Sequence, residues 1–305
     1  MTTETAINEF RHLEITPLTP NIGGMIENAN LSKLNEDATE ELRSALWKFG
    51  VLIARDQNLS VQEQKNVALI FADKLEKHSY GPSLADEGHP DVHRVEMYPS
   101  GRAQTSTDIW HQDVTGRKHP NFVNVIQAKV VPFGADTMWA SAKLGYEWLP
   151  FELRQLFLSI DVEHDTVYGV LRHDIGDDSV DVKKLLEFDE NTTRPAVINH
   201  PITGELVMFV NNAWTKRVSG YNADLSEAIL RIAFDIPKKP ELQVRHQWQP
   251  GDIAIWDNLA TWHYGVTADL RDKPRLLHRV GAWSESIELT LDRERALRNL
   301  RESQA

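Results

Sequence analysis

From residue 122 to residue 283 the chain is cut into short apolar runs by turn residues, and that texture constrains the fold more than any other feature. Runs at 122–131 and 136–140 flank Pro132 and Gly134, and 197–199 and 206–210 flank Thr203-Gly204. The runs 160–167, 242–248, 252–256 (after Pro250-Gly251), 262–266 and 276–283 continue the pattern. Short apolar segments separated by such turns read as β-strands joined by hairpins. Helices concentrate near the N-terminus, after a weakly alternating first strand at 13–18. Leu42, Ala45, Leu46 and Phe49 recur at helical spacing and stop at Gly50, which predicts a helix over 38–49 and then a buried strand at 51–54. Ser60 with Glu63 forms a capping-box pattern and opens a helix to about residue 75. Further helices are predicted at 150–158, at 225–234 (capped by Asp224 or Asn222) and at 289–303, the last charged and suited to packing on the surface or on another subunit. The whole predicts a mostly β fold with flanking helices, a double-sheet jelly roll.

With 305 residues, 41% of them hydrophobic, the chain can bury one full core. Residues 1–10 are expected to form a loose tail and 11–305 a single domain. Within it, 78–109 and 169–195 are long, polar and weakly periodic, and are expected to be active-site lids. The net charge of −12 opposes nucleic acid and anionic membrane surfaces as partners. With no cysteine, disulfides, thiolate zinc sites and thiol nucleophiles are excluded. The polar N-terminus carries no leader pattern and no apolar run approaches the roughly 20 residues of a membrane span, so a cytoplasmic location is expected.

Three signals carry chemistry. His111 and Asp113, two residues apart in Trp110-His111-Gln112-Asp113, would point the same way on a strand. His263 follows a strong strand–turn–strand and is a natural third ligand. Two imidazoles and one carboxylate on one face of a metal leave three positions open, the pattern of non-haem iron(II) oxygenases. Alone, a His-x-Asp pair arises by chance, and a lone histidine is more often a hydrogen-bonded core residue. Arg275 lies twelve residues after His263 on the next strand; its planar fork suits the far carboxylate of 2-oxoglutarate, to which Thr137 can add a hydroxyl.

With these residues in order, the chain resembles the taurine/2,4-dichlorophenoxyacetate (TauD/TfdA-like) family of Fe(II)/2-oxoglutarate dioxygenases. The resemblance runs from about Leu13 to Trp283 and rests on ordered blocks. These are Trp110-His111-Gln112-Asp113-Val114-Thr115, Asp136-Thr137-Met138-Trp139, His200-Pro201 with Thr203-Gly204, Phe209-Val210-Asn211, Trp248-Gln249-Pro250-Gly251-Asp252 into Ile255-Trp256-Asp257-Asn258, His263, and Arg275-Leu276-Leu277-His278-Arg279. It implies a double-stranded β-helix, Fe(II) on His111, Asp113 and His263, 2-oxoglutarate on Arg275 and Thr137, O2 as oxidant, and a homo-oligomer, dimeric or tetrameric. It places Arg279 and His78 at an anionic small-molecule substrate such as a sulfonate, sulfate ester or phenoxy acid, with succinate and CO2 as by-products and C–S or C–O cleavage where the carbon bears a heteroatom group. The chain departs from the family at Gly134-Ala135, where two glycines are usual, at Gly116-Arg117-Lys118-His119, where an aromatic is common, and at Trp214, so taurine itself is not implied. Arg117 and Lys118 read as a solvated loop pair.

Three rival readings stand beside this one. The first is a hydroxylase or desaturase of an amino-acid-like metabolite. The second is a catalytically silent jelly-roll binding protein, which would be expected to have lost a ligand. The third is a zinc hydrolase on the same triad, separated by O2 consumption coupled to succinate formation.

Overall fold

A computed structural model describes residues 10–77, 81–97, 108–173, 182–187, 191–266 and 273–304. Val51–Ala54, Ile253–Asp257, Val123–Val130, Arg275–Trp283 and His89–Met97 lie side by side in that order at the heart of a nine-stranded sheet. These central pairings are all antiparallel. A three-stranded sheet of Gln243–His246, Thr137–Ser141 and Thr261–Gly265 faces it.

Side-chain alternation divides the core. Leu52, Ala54, Val123, Val125, Ile253 and Ile255 pack outward against the helices Glu36–Phe49 and Val61–Leu69, through Leu42, Ala45, Leu46, Val67 and Ala68. Ile53, Ile126, Ala128, Ala254, Trp256 and Leu277 pack inward with Trp139, Val244 and Trp248. Both faces of the central strands are therefore covered, which is why 51–54 and 253–256 read as unbroken apolar runs rather than alternating ones. The architecture is the jelly roll with flanking helices that the strand spacing predicts.

Local rules place most elements. Asn35 caps the first helix by accepting from the Ala38 N–H at 2.8 Å, and Gly50, at φ +71°, closes it by donating to the Leu46 carbonyl. The Ser60–Glu63 capping box forms, yet its helix ends at Leu69, short of residue 75. The cause is tertiary: Lys74–Leu75 is captured by the Arg275–Trp283 strand, and the Glu76 N–H donates to the Gly281 carbonyl at 2.8 Å. That capture sets Glu76 beside the strand that carries Arg279.

Other boundaries shift for similar reasons. The strand predicted at 160–167 stops at Asp165, and Thr166–His173 is helical. The described part of the expected second lid holds the helix Val182–Glu187 and the strand Asn191–Pro195. In the first, His89–Met97 is a nine-residue strand paired along its far half with Arg275–Arg279. The terminal helix Arg293–Glu302 buries Ala296 and Leu300 in one cluster with Phe157 and Leu158 of the same chain. Among the described residues no helix is long and apolar enough to cross a membrane.

Candidate metal centre

His111 does not lie on a strand, as the two-residue spacing had predicted. It forms an isolated bridge to His263: the His111 N–H donates to the His263 carbonyl at 3.0 Å and the His263 N–H donates back at 2.8 Å. The chain then turns, and Val114 sits at φ +47°, a strained backbone for a β-branched residue. Asp113 therefore meets the histidines through a turn and not through strand alternation. Asn258, fully buried, clamps that turn. Its Oδ1 accepts from the Asp113 N–H at 2.8 Å, and its Nδ2 donates to the carbonyls of Asp113 at 3.0 Å and Asn121 at 2.8 Å. Asn124 Nδ2 donates to Asp113 Oδ2 at 3.1 Å.

The three side chains converge. One donor atom from each lies within 4.8 Å of the other two, and all three residues are buried. Asp113 Oδ1 is 3.7 Å from His111 Nε2, and Oδ2 is 3.6 Å from His263 Nε2. The Ile109 carbonyl, 2.7 Å from His111 Nδ1, accepts the proton on that nitrogen and leaves the Nε2 lone pair facing the carboxylate. The two rings are 3.9 Å apart, so two imidazolium charges would repel strongly. Burial, then the neighbouring His111, push His263 well below its ordinary pKa, so its ring is held neutral. Burial acts to raise the Asp113 carboxyl, but the charges around it, the Arg279 guanidinium foremost, outweigh burial and hold the carboxyl below its usual range. Two imidazoles and one carboxylate on a single side of a point fit a divalent metal with open positions.

Further along the inward face, Arg275 is 3% exposed. Its Nη2 donates to Thr137 Oγ1 at 3.4 Å, a hydroxyl also held by Trp248 Nε1 at 2.9 Å. Asp136, which precedes Thr137 in the chain, is taken by Arg245 at 2.6 Å, and Arg275 Nε has no acceptor among the described residues. Burial lowers the Arg275 pKa to about 10, which leaves it charged at neutral pH. A buried guanidinium with an orphaned donor is costly unless an anion joins it, and a carboxylate fits that fork.

Arg279, four residues on, faces the same way. Its Nη1 is 2.5 Å from Asp113 Oδ2 and its Nη2 is 3.6 Å from Glu76 Oε2. Arg117, read from the sequence as solvated, instead pairs with buried Glu76 at 2.9 Å and has a side chain only 17% exposed. Lys118 is exposed. The sequence offered no local signal for Glu76, because Arg117, Asn121 and Arg279 all reach it from distant segments. His78 lies outside the described residues.

Asn258→Ala is expected to weaken metal binding about 10- to 100-fold, because the ligand turn loses its clamp. A Mn(II) titration reads this directly; an unchanged affinity would mean that the turn holds without it.

The profile of the taurine catabolism dioxygenase TauD, TfdA family matches residues 14–281. The alkylsulfatase of Acinetobacter baylyi is 30% identical over 280 residues, covering 90% of this chain and 86% of that one. The alpha-ketoglutarate-dependent sulfate ester dioxygenase of Pseudomonas putida is 30% identical over 275 residues, 88% of each chain. The solved structure of a taurine dioxygenase from Burkholderia xenovorans superposes with a TM-score of 0.74 at 26% identity, covering 90% of this chain and 91% of that one.

Proposed function

Because this chain belongs to the TauD/TfdA family of dioxygenases, we propose that it hydroxylates a small molecule through a ferrous ion held by His111, Asp113 and His263, with the anionic head of that molecule held at Arg279. The enzyme is a 2-oxoglutarate-dependent dioxygenase that uses Fe(II), 2-oxoglutarate and O2. The observation that carries the residue assignment is the convergence of the three donor atoms beside two buried arginines.

When bound, the ferrous ion with 2-oxoglutarate and O2 supplies the oxidising power, releasing succinate and CO2 as a substrate C–H bond is hydroxylated. The protein does the rest. Arg275 and Thr137 hold the far carboxylate of 2-oxoglutarate. Asn258 fixes the Asp113 backbone, Asn124 fixes its carboxylate, and the Ile109 carbonyl fixes the His111 tautomer. Trp256, its ring 5.1 Å from that of His263, walls the site against water. Arg279 holds the substrate head so that one carbon faces the metal. If that carbon carries a sulfate ester oxygen, hydroxylation leaves a hydroxy sulfate ester that collapses to an aldehyde and inorganic sulfate.

A sulfate ester is the favoured head among sulfates, sulfonates and phenoxy acids, in keeping with the two bacterial relatives. An amino-acid substrate is less well supported, since Glu76 is engaged by Arg117 and Asn121 rather than set out for an ammonium group. A panel of alkyl sulfates, sulfonates, phenoxy acids and amino acids, with succinate and sulfate release followed, tests the reading. It fails if only the amino acids stimulate succinate formation. Arg279→Gln is expected to raise the apparent KM for an alkyl sulfate about 10- to 100-fold, the worth of one or two charge-assisted hydrogen bonds. The KM for 2-oxoglutarate should move far less. Equal shifts in both would take Arg279 out of the substrate site.

A further inference from the structure

Glu76 is a buried carboxylate near the metal centre that no step of the oxidation requires. It is 4% exposed. Its Oε2 accepts from Asn121 Nδ2 at 2.6 Å and lies 3.6 Å from Arg279 Nη2, while its Oε1 is 2.9 Å from Arg117 Nη1. The surroundings are built to hold it there. Gly281, on the strand that carries Arg279, leaves room for Asn121: a Cβ at that glycine would stand 2.2 Å from the amide nitrogen. Arg194 donates to the carbonyls of Arg117 at 2.9 Å and Lys118 at 2.8 Å, which anchors the loop that carries Arg117. Two cations, Arg117 and Arg279, thus stand against two carboxylates, Asp113 and Glu76, and the wall is close to neutral before any substrate arrives.

We propose that Glu76 is a specificity-determining residue that limits the head group at Arg279 to one negative charge, so that the site accepts alkyl sulfates and rejects alkyl phosphates of the same shape. The proposal rests on the reading that an anionic head sits at Arg279. A sulfate monoester and a phosphate monoester are both tetrahedral and present similar oxygens to a guanidinium. They differ in charge, because a phosphate monoester, with a second pKa of about 6, is largely a dianion at pH 8. The attraction to Arg279 grows with that second charge, and so does the repulsion from Glu76. Held by Asn121 at its carboxylate and by Gly281 at its backbone, Glu76 cannot swing away, and Arg117 offsets part of its charge. In a partly desolvated site one fixed like charge at such short range changes affinity by about tenfold or more.

The test is calorimetric binding of hexyl sulfate and hexyl phosphate at pH 8 to the protein loaded with Mn(II) and 2-oxoglutarate. The wild type is expected to bind the sulfate at least about tenfold more tightly. Glu76→Gln should narrow that ratio by about tenfold, with the phosphate gaining most, and Glu76→Asp, which keeps the charge, should leave it within about twofold. Arg117→Gln should widen it, and if Glu76→Gln does not fold, this variant decides alone. Equal binding of the two ligands by the wild type, or a ratio that neither Glu76→Gln nor Arg117→Gln moves, overturns the proposal while the anionic-head reading stands. If the wild type binds neither ligand, that reading falls and the proposal falls with it.

Discussion

Replacing Asp113 with alanine is expected to abolish Fe(II) binding under conditions where the wild type is saturated, and to lower 2-oxoglutarate turnover by at least about a thousandfold. Asp113 is the only anionic member of the group that could hold the metal. Its loss leaves two imidazoles facing the Arg279 guanidinium, which now lies 2.5 Å from the carboxylate. A charge pair at about 4 Å with an effective dielectric of about 20 is worth roughly 4 kcal/mol, or about three orders of magnitude in affinity, before the missing coordination bond is considered. Asp113→Asn keeps the shape and the Asn124 side of the network, so it separates charge from packing; it should lose most of the affinity too. The measurement is an anaerobic Fe(II) titration of each variant beside its melting curve. An alanine variant that binds iron within tenfold of wild type would remove Asp113 from the centre.

The second large effect is expected at Arg275. Arg275→Ala should raise the KM for 2-oxoglutarate about 100-fold or more, since a buried bidentate partner of a carboxylate is lost and nothing else supplies its charge. Thr137 and Trp248 would remain, but both are neutral, and Asp136 and Arg245 are occupied with each other. Arg275→Lys should recover part of the loss, because it restores a point charge without the fork. The alkyl sulfate should show little change in affinity. If the KM for 2-oxoglutarate stays near wild type in Arg275→Ala, the co-substrate lies elsewhere.

Much of this architecture was readable from short-range rules. The helix that ends at Gly50, the strand Val51–Ala54, the Ser60–Glu63 box and the hairpin of Val197–Asn199 with Leu206–Met208 all depend on residues close in sequence. Those rules failed where a distant partner decided the outcome. The helix predicted to run to about residue 75 stops at Leu69 because the edge of the Arg275–Trp283 strand claims Lys74 and Leu75. The helix Thr166–His173 was read as part of a strand and a polar lid. Its Val170 packs with Ala213 and Trp214, contacts that its own sequence does not announce.

The site divides the same way. His111, Asp113, His263, Thr137, Arg275 and Arg279 carry recognisable residue types at recognisable places, and the fold gathers them on one inward face. The route to that gathering was not legible. Asp113 arrives through a turn with a positive φ at Val114, held by Asn258 from far along the chain. Glu76 and Arg117 were passed over because a charged residue in a loop or at a helix end is usually solvated, and only the folded chain puts one against the other.

The central claim is that one divalent ion sits between His111, Asp113 and His263 with room for 2-oxoglutarate beside Arg275. An anomalous difference map from a crystal grown with Mn(II) and 2-oxoglutarate tests it most directly. The expected result is a single strong peak bonded to His111 Nε2, His263 Nε2 and an Asp113 oxygen, with the 2-oxoglutarate tail carboxylate on Arg275. A peak at other residues, or no peak between these three in crystals grown at saturating Mn(II), would contradict the account.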